Sequence, residues 1–252
     1  MPFSRAVETS ALPEGSRLTS DMVGIGMRFA ADAAVEPNIE DTIIAASVEG
    51  MERDDLRVLA VLTTWVGIHH PRVNADRLLR ALSSQPSPRV RVYWAAIGGW
   101  LGKDRRLARL ATLHEGARID LLRAGTAFQV RRRGEDPRFA DARLRVPAGV
   151  LRDRASDVLP PADLALRHGT YRLRILMGPS YRADMWAVLE REPDATAAEL
   201  ARRTYGSFAT AWGVKRDWAL LHPKAEVAKP PTPPSTPGSD RPSRPARRGR
   251  RR

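Results

Sequence analysis

The chain of 252 residues is long enough for one or two domains, and its 42% of hydrophobic residues is typical of a globular protein. It contains no cysteine, which excludes disulfide frameworks, thiolate zinc sites and cysteine nucleophiles. Its net charge of +13 makes a polyanion such as nucleic acid a candidate partner, because a basic surface attracts phosphates.

The sequence predicts neither a membrane span nor a secretory signal. The longest apolar stretch, Val58 to Ile68, is too short for a bilayer, which needs about 20 residues. The first thirty residues carry Glu8, Glu14 and Asp21 and lack an apolar run behind a basic start. We therefore expect a soluble, cytoplasmic protein that does not act at a membrane.

Residues 1–37 form an N-terminal segment, in which a short helix is expected from Asp21 to Ala34. Residues 38–122 predict a helical domain of four or five helices, because apolar residues recur at helical spacing. The stretch Asp54 to His70 is apolar on too many sides for a one-sided stripe, which places it at the centre of the core. Asn74 is the expected N-cap of the next helix.

Residues 123–169 carry 10 basic and 6 acidic side chains and are interpreted as a basic connector. The segments "TAFQVRRR" and "ARLRVPAGVLR" alternate partly between apolar and polar residues, which predicts a small β-hairpin. In a third alternating run, Arg172 and Arg174 oppose Tyr171, Leu173 and Ile175, which indicates a short strand or a basic-faced connector. The cluster Val130 to Gly134 is either a nucleic-acid contact or a solvated face of the hairpin.

Residues 170–222 predict three short helices. The first covers Tyr181 to Glu192, and Thr196 and Glu199 have the spacing of a capping box at the start of the second. After a turn, the third helix is expected to bury Ala211, Val214, Trp218 and Leu221. Three such helices are what a helix-turn-helix requires, with the last one in the major groove of DNA. The same pattern also occurs in helical bundles that bind no DNA.

The opposite side of the third helix carries the candidate DNA-reading residues. Arg216 is expected to read a guanine edge, Thr210 to meet a thymine methyl group or a phosphate, and Gly213 to permit close approach. Phosphate contacts are expected from the helix start and its neighbours. The predicted DNA-binding set is Arg202, Arg203, Ser207, Thr210, Trp212, Gly213, Lys215 and Arg216.

Residues 223–252 form a Pro/Arg-rich tail with 9 basic and 2 acidic side chains. Such a composition buries too little apolar surface to offset the entropy of ordering, which predicts disorder. Its last arginines are expected to contact phosphates without regard to sequence, although a merely solubilising tail would have the same composition. They are Arg247, Arg248, Arg250, Arg251 and Arg252.

No other stretch carries a catalytic or ligand-binding signature. His69 and His70 adjoin at a helix end, but consecutive helical residues point in different directions, so a histidine favoured by the helix dipole is the expected account. The adjacent Asp54 and Asp55 are explained by a helix start. We therefore expect no catalytic residue, no cofactor, no metal and no enzyme activity.

The segment Tyr171 to Leu221 resembles the helix-turn-helix of many bacterial regulators, whose second and third helices read like "AAELARRT" followed by a turn and a polar helix. A tight version of the turn has glycine at the position of Tyr205, so a longer turn is expected here. No strand pair follows Leu221 to form a wing, so strands before Thr170 would have to serve.

The stretch "RLRILMGPSYRADMWAVLEREP" is also similar to regulators of the AbiE class, the abortive-infection antitoxins. This resemblance implies a winged-helix domain that represses its own operon, and a nucleotidyltransferase toxin as the protein partner. In that family the winged helix usually lies at the N-terminus, whereas the segment here lies near the C-terminus.

The sequence thus predicts a mainly α protein with an N-terminal helical bundle, a short β-containing connector, a C-terminal three-helix helix-turn-helix and a disordered basic tail. The leading hypothesis is a DNA-binding transcriptional regulator that binds an operator as a homodimer and has a protein partner. The alternative is a partner-binding protein whose tail has only generic affinity for nucleic acid. An enzyme with an unrecognised site is the third hypothesis.

Overall fold

The computed structural model describes residues 12–223, and within them the protein is mainly α-helical with one two-stranded sheet. The helices are α1 (Gly15–Gly24), α2 (Ile39–Glu52), α3 (Leu56–His69), α4 (Ala75–Ser83), α5 (Pro88–Trp100), α6 (Arg105–Ala108), α7 (Thr126–Arg133), α8 (Pro161–Arg167), α9 (Gly169–Met177), α10 (Tyr181–Arg191), α11 (Ala197–Thr204) and α12 (Phe208–Leu221). The strands are β1 (Ile119–Asp120) and β2 (Leu144–Arg145). Short 3-10 helices cover His70–Arg72, Arg109–Leu113 and Ala155–Asp157. None of the described helices is both long and apolar enough to cross a membrane.

The helical body is built around α3, as its apolar sequence predicts. Ten of its fourteen residues are buried, so it has no solvent-facing stripe. It packs closely on α2, because a Cβ at Gly50 would lie only 2.7 Å from the Cβ of Leu59. The indole N–H of Trp65 donates to the carbonyl of Ile25 at 2.8 Å. Five helices, α2 to α6, lie within residues 38–122, which agrees with the four or five helices predicted there.

Side-chain caps start the helices where the sequence predicts them. Asn74 accepts a hydrogen bond from the backbone N–H of Arg77 and caps α4. Asp55 accepts two backbone N–H groups at the start of α3, which accounts for one of the paired aspartates. Thr196 and Glu199 form the predicted capping box of α11.

The N-terminal segment belongs to the body. Its helix, α1, runs from Gly15 to Gly24, so the prediction of a helix from Asp21 to Ala34 was wrong. The apolar residues Leu18, Met22, Ile25 and Met27 of this segment are buried in the main core. Burial of these side chains ties the segment to the bundle.

The predicted β-hairpin in the connector is wrong, because "TAFQVRRR" forms α7. The apolar–polar alternation in this run is short, and its alanine, glutamine and arginines favour a helix. Gly125, with φ of 81°, sets the start of α7, and the hydroxyl of Thr126 hydrogen-bonds with the backbone of Leu122. The second half of the expected hairpin contributes β2, which pairs in parallel with β1.

The third alternating run is also a helix, α9, and not a strand or a connector. A helical period puts Tyr171 and Arg174 on one side, and both side chains are buried. Ile175 lies on the exposed side together with Leu176. The arginine expected on a basic face therefore lies inside the protein.

His69 at the end of α3 is buried, so the expected dipole-stabilised, charged histidine is wrong for this residue. Its Nδ1 lies 2.7 Å from the hydroxyl of Tyr171, and its Nε2 lies 3.0 Å from the carbonyl of Leu159. Burial lowers its pKa to about 4. The neutral ring joins α3 to α9 and to the segment before α8.

Arg174 holds the last three helices on the body. Its Nη1 and Nη2 donate to the two oxygens of Glu40 on α2 at 2.7 and 2.9 Å. Its Nε and Nη2 donate to the two oxygens of Asp184 on α10 at 2.7 and 3.0 Å. The fifth N–H donates to the carbonyl of Arg72 at 3.1 Å. All five guanidinium donors are therefore used inside the protein.

In this buried cluster, the opposite charges of Arg174 and of its carboxylate partners stabilise each other. Burial alone would raise the pKa of Glu40, but the charge and hydrogen bonds of Arg174, with Arg77 nearby, hold that pKa below its usual value. Burial would likewise lower the pKa of Arg174, and Glu40 and Asp184 outweigh it, so its pKa is raised. Arg174 and Glu40 are therefore both charged.

Replacing Arg174 with methionine should lower the free energy of unfolding by about 3–5 kcal/mol, because it leaves Glu40 and Asp184 buried without their partner. The matched control is Arg172→Met on the same helix, since Arg172 forms only an exposed pair with Glu190. That variant should lower the free energy of unfolding by at most about 1 kcal/mol. Urea denaturation measures both changes. Equal losses in the free energy of unfolding would show that the buried ion pairs of Arg174 stabilise the protein no more than the exposed pair of Arg172.

Candidate nucleic-acid interface

Helices α10, α11 and α12 pack into a small unit with an apolar core of its own. The capping box at Thr196 and a serine cap at Ser207 start its second and third helices. Its apolar interior is separate from the core of the body and consists of Met185, Val188, Leu189, Ala195, Leu200, Ala201, Ala211 and Val214. The three predicted helices are present, in the order that a helix-turn-helix requires.

The turn between α11 and α12 is tight, so the expected longer turn is wrong. Three residues, Tyr205 to Ser207, separate the two helices, a common length for a helix-turn-helix. Tyr205 adopts the left-handed conformation, with φ of 58° and ψ of 18°, at the position where a glycine was expected. Gly206 has a different role, since a Cβ there would collide with Cε of Met185.

Contacts with the body explain how a tyrosine is held in this strained conformation. A left-handed residue with a side chain costs about 1–2 kcal/mol. The hydroxyl of Tyr205 donates to Asp41 on α2 at 3.2 Å, and the guanidinium of Arg77 on α4 lies 4.1 Å from the centre of its ring. The same Arg77 donates to both oxygens of Asp41 at 2.9 Å. The turn is therefore fastened to the helical body.

Helix α12 has one buried and one exposed side. Ala211 and Val214 are buried as predicted, and Trp218 is half-buried against Trp186, with 5.1 Å between the ring centres. Leu221, expected on the buried side, is 70% exposed, because the helix extends past its neighbours.

Three of the predicted DNA-reading residues, Trp212, Gly213 and Arg216, lie together on the side of α12 away from its core. Trp212 is 57% exposed, and Gly213 lies beside it. Arg216 lies one helical turn after Trp212 and is exposed. Thr210 is exposed at the start of the helix, one turn before the buried Val214, and its hydroxyl lies 2.8 Å from the hydroxyl of Ser207. A Cβ added to Gly213 would meet no heavy atom of the protein within 4 Å, so the space above this glycine is open.

Arg216 is exposed, but its guanidinium contacts two neighbouring side chains. Its guanidinium lies 5.8 Å from the centre of the Trp212 ring and 3.2 Å from the carboxylate of Asp217. Asp217 is also bound by Arg182 of α10 at 3.0 Å, and these two arginines lower its pKa. Both contacts of Arg216 are at the surface, where such pairs are worth at most about 1 kcal/mol. A partner of higher charge density can therefore take up its guanidinium.

Three other predicted residues are engaged within the unit. Arg203 forms two hydrogen bonds with Glu192 at 2.6 and 2.8 Å, which joins α11 to the end of α10. Lys215 donates to the carbonyl of Pro193 at 3.2 Å, on the side facing the α10–α11 connection. The hydroxyl of Ser207 accepts the N–H of Thr210 as the cap of α12. Arg203 and Lys215 join different elements of the unit and Ser207 caps α12, whereas Arg216 contacts only residues of its own helix. We therefore do not assign phosphate contacts to Arg203, Lys215 or the side chain of Ser207.

Arg202 remains on the exposed side of α11 and forms no ion pair within residues 12–223. The predicted tail contacts, from Arg247 to Arg252, lie outside the described residues.

Two surface features of the unit are not predicted from the sequence. Phe208, the first residue of α12, is 49% exposed and lies beside the serine cap. Its position directly after a cap residue was the available signal. Tyr205 was missed because its partners, Asp41 and Arg77, are distant in sequence.

The described residues provide no wing beside this unit. The two strands between residues 12 and 223 pair with each other, and β2 packs against α5 in the body. The strands before Thr170 therefore do not serve as a wing, and the candidate interface consists of helices.

No family model matches the chain, and no curated protein or solved structure matches it either.

The open space above Gly213 leads to a test that separates stability from binding. Gly213→Ala should raise the free energy of unfolding by roughly 0.5–1 kcal/mol, because alanine favours a helix and meets no atom here. If DNA approaches the α12 backbone, the added methyl group should weaken duplex binding about tenfold, which corresponds to about 1.4 kcal/mol.

The matched control is Gly99→Ala in the last turn of α5, where an added Cβ also meets nothing within 4 Å. That variant should stabilise the protein without changing its affinity for DNA. Chemical denaturation and fluorescence anisotropy with a duplex selected by the wild-type chain measure the two quantities. Unchanged DNA affinity in Gly213→Ala would exclude close approach at this position.

Proposed function

We propose that the protein is a sequence-specific DNA-binding protein in which α12 is the recognition helix. The observation that carries the proposal is the division of α12: Ala211 and Val214 are buried, whereas Trp212, Gly213 and Arg216 lie together on the opposite side and Thr210 is exposed at the start of the helix. A helix-turn-helix uses its second helix in the same way, with one side packed and the other against base edges.

The chemistry of the outward side suits the major groove, which admits an α-helix. Arg216 donates to O6 and N7 of a guanine, the commonest specific contact between a side chain and a base pair. Thr210 contacts a thymine methyl group, and Gly213 lets the helix backbone come close to the base edges. Arg202 on α11 contacts a phosphate, which sets the register of the helix without reading sequence.

Charge pairing supports an anionic ligand at this surface. Two carboxylates near α12 are paired with arginines other than Arg216: Asp217 with Arg182, and Glu192 with Arg203. Repulsion of a phosphate backbone is thereby reduced. The basic tail of residues 223–252 adds affinity of the sequence-independent, salt-sensitive kind.

Transcriptional regulation is the biological role we propose for such a DNA-binding protein. A homodimer would present two α12 helices to the half-sites of an operator, and the helical body offers a separate surface for a protein partner. The finer proposal, an antitoxin that represses its own promoter and neutralises a nucleotidyltransferase toxin, rests only on the resemblance of Tyr171 to Leu221. Co-purification with a nucleotidyltransferase encoded next to it tests that proposal directly.

The second candidate function is binding of a protein partner, with nucleic acid held only by the tail. Large exposed side chains favour it: Leu176 on α9 is 72% exposed, and Leu220 on α12 is 74% exposed. The two functions predict different behaviour with DNA, because a tail of this composition does not distinguish sequences.

Selection from a randomised duplex library tests the proposed function. The wild-type chain should enrich a shared motif, and Arg216→Ala should bind that motif with roughly 1–3 kcal/mol less free energy and lose preference for one guanine in it. The control Arg172→Ala removes an exposed arginine of α9 and should keep motif and affinity. Residues 1–223 without the tail should retain the motif with a smaller salt dependence. A library that enriches no motif, or affinity lost entirely with the tail, would contradict the proposal and favour the partner-binding alternative.

A further inference from the structure

Helix α7 is an unusual element, because it is almost wholly exposed. Thr126 is the only buried residue of its eight. Its last three residues, Arg131 to Arg133, are all exposed arginines. Glycines with positive φ bound it on both sides, Gly125 at 81° and Gly134 at 78°. The protein thus presents a short basic helix that contributes little to its core.

One side of α7 combines an aromatic ring with two cations. Phe128, Arg131 and Arg132 occupy positions i, i+3 and i+4, which share one face of a helix. The side chain of Phe128 is 60% exposed. The inward side is formed by Thr126 with the partly buried Gln129 and Val130. The helix dipole accounts for arginines in a last turn, but it does not account for an exposed phenyl ring beside them.

The two arginines of this face are not paired with other side chains of residues 12–223. Neither Arg131 nor Arg132 forms an ion pair or a side-chain hydrogen bond within the part of the chain that the structure describes. The neighbouring carboxylates have other partners: Glu135 binds Arg118, and Asp136 binds Arg138. The positive charge of α7 is therefore uncompensated by its surroundings.

We propose that Phe128, Arg131 and Arg132 form a binding site for single-stranded nucleic acid. An unpaired base stacks on the phenyl ring of Phe128, and the two guanidinium groups hold the phosphates on either side. Aromatic rings that stack with bases, set among cations that follow the backbone, are how proteins bind single strands without sequence preference. A duplex fits this face less well, because its bases are stacked on each other and hide their faces.

The site is separate from α12. Arg123, just before α7, binds Asp54 and the carbonyl of Glu52 at the end of α2. The turn before α12 is bound instead to Asp41 at the start of α2. The fourteen residues of α2 span about 20 Å. A nucleotide on α7 therefore does not occupy the duplex surface proposed for α12.

Fluorescence anisotropy with a labelled 15-nucleotide oligo(dT) and the full chain tests this proposal. Phe128→Leu keeps an apolar side chain but removes the aromatic face, and it should weaken binding about tenfold, within the range for the removal of one stacked base. Phe128→Tyr retains the ring and should bind within about twofold of the wild type. Both variants change an exposed residue and should unfold at the same temperature as the wild type.

The double variant Arg131→Gln, Arg132→Gln should reduce the slope of log affinity against log salt by about 1.4, at about 0.7 for each phosphate that an arginine no longer neutralises. The control is Arg105→Gln on α6, an exposed arginine outside α7, which should leave slope and affinity unchanged. The basic tail contributes equally to every variant.

Wild-type affinity in Phe128→Leu, or equal losses of affinity in Phe128→Leu and Phe128→Tyr, would overturn the stacking site. Equal reductions of the salt slope in the double variant and in the Arg105 control would overturn it as well. The loss of oligo(dT) affinity in Phe128→Leu is expected whether or not the duplex library enriches a motif, so failure of the duplex proposal and failure of this one are distinguishable. A larger loss of affinity in Phe128→Leu for a duplex of the same length than for oligo(dT) would also contradict it.

Discussion

The position of the proposed recognition helix depends on one buried guanidinium. Arg174 binds Glu40 of α2, Asp184 of α10 and the carbonyl of Arg72 after α3, and it uses all five of its N–H donors. A buried ion pair need not stabilise a protein relative to an apolar core, but its geometry is demanding. Here that geometry fixes the angle at which α10, and with it α11 and α12, leaves the body. The Tyr205 contacts with the body fix the same unit at a second point.

Local signals in the sequence are sufficient to predict much of the fold. The all-round apolar pattern of α3 and the caps at Asn74 and Thr196 depend on residues within one or two helical turns, and the structure confirms them. The sequence misled where a segment was short. Over eight or nine residues, partial alternation does not distinguish a strand from a helix. The sequence therefore predicts part of a hairpin where α7 lies, and a short strand or a basic-faced connector where α9 lies. Burial of Arg174 was not predictable, because Glu40 lies 134 positions away.

The candidate interface was predicted in part. The helical period alone separated the exposed Trp212 and Arg216 from the buried Ala211 and Val214. It could not show which cations were already engaged. Arg203 and Lys215 find partners at the end of α10 and in the loop that follows, and these partners become adjacent only when the three helices pack. The number of charges alone therefore does not identify a nucleic-acid surface. The surfaces proposed for α12 and α7 are chosen by which cationic side chains are not needed to join the helices.

The central claim is that α12 lies in the major groove with Arg216 on a guanine. Methylation of guanine N7 by dimethyl sulfate reports on this claim directly, because N7 faces the major groove. On the duplex selected by the wild-type chain, bound protein should protect at least one guanine from methylation, and the Arg216→Ala variant at saturating concentration should leave that guanine reactive while other protections persist. Protection of no guanine, or an identical pattern with Arg216→Ala, would contradict the account.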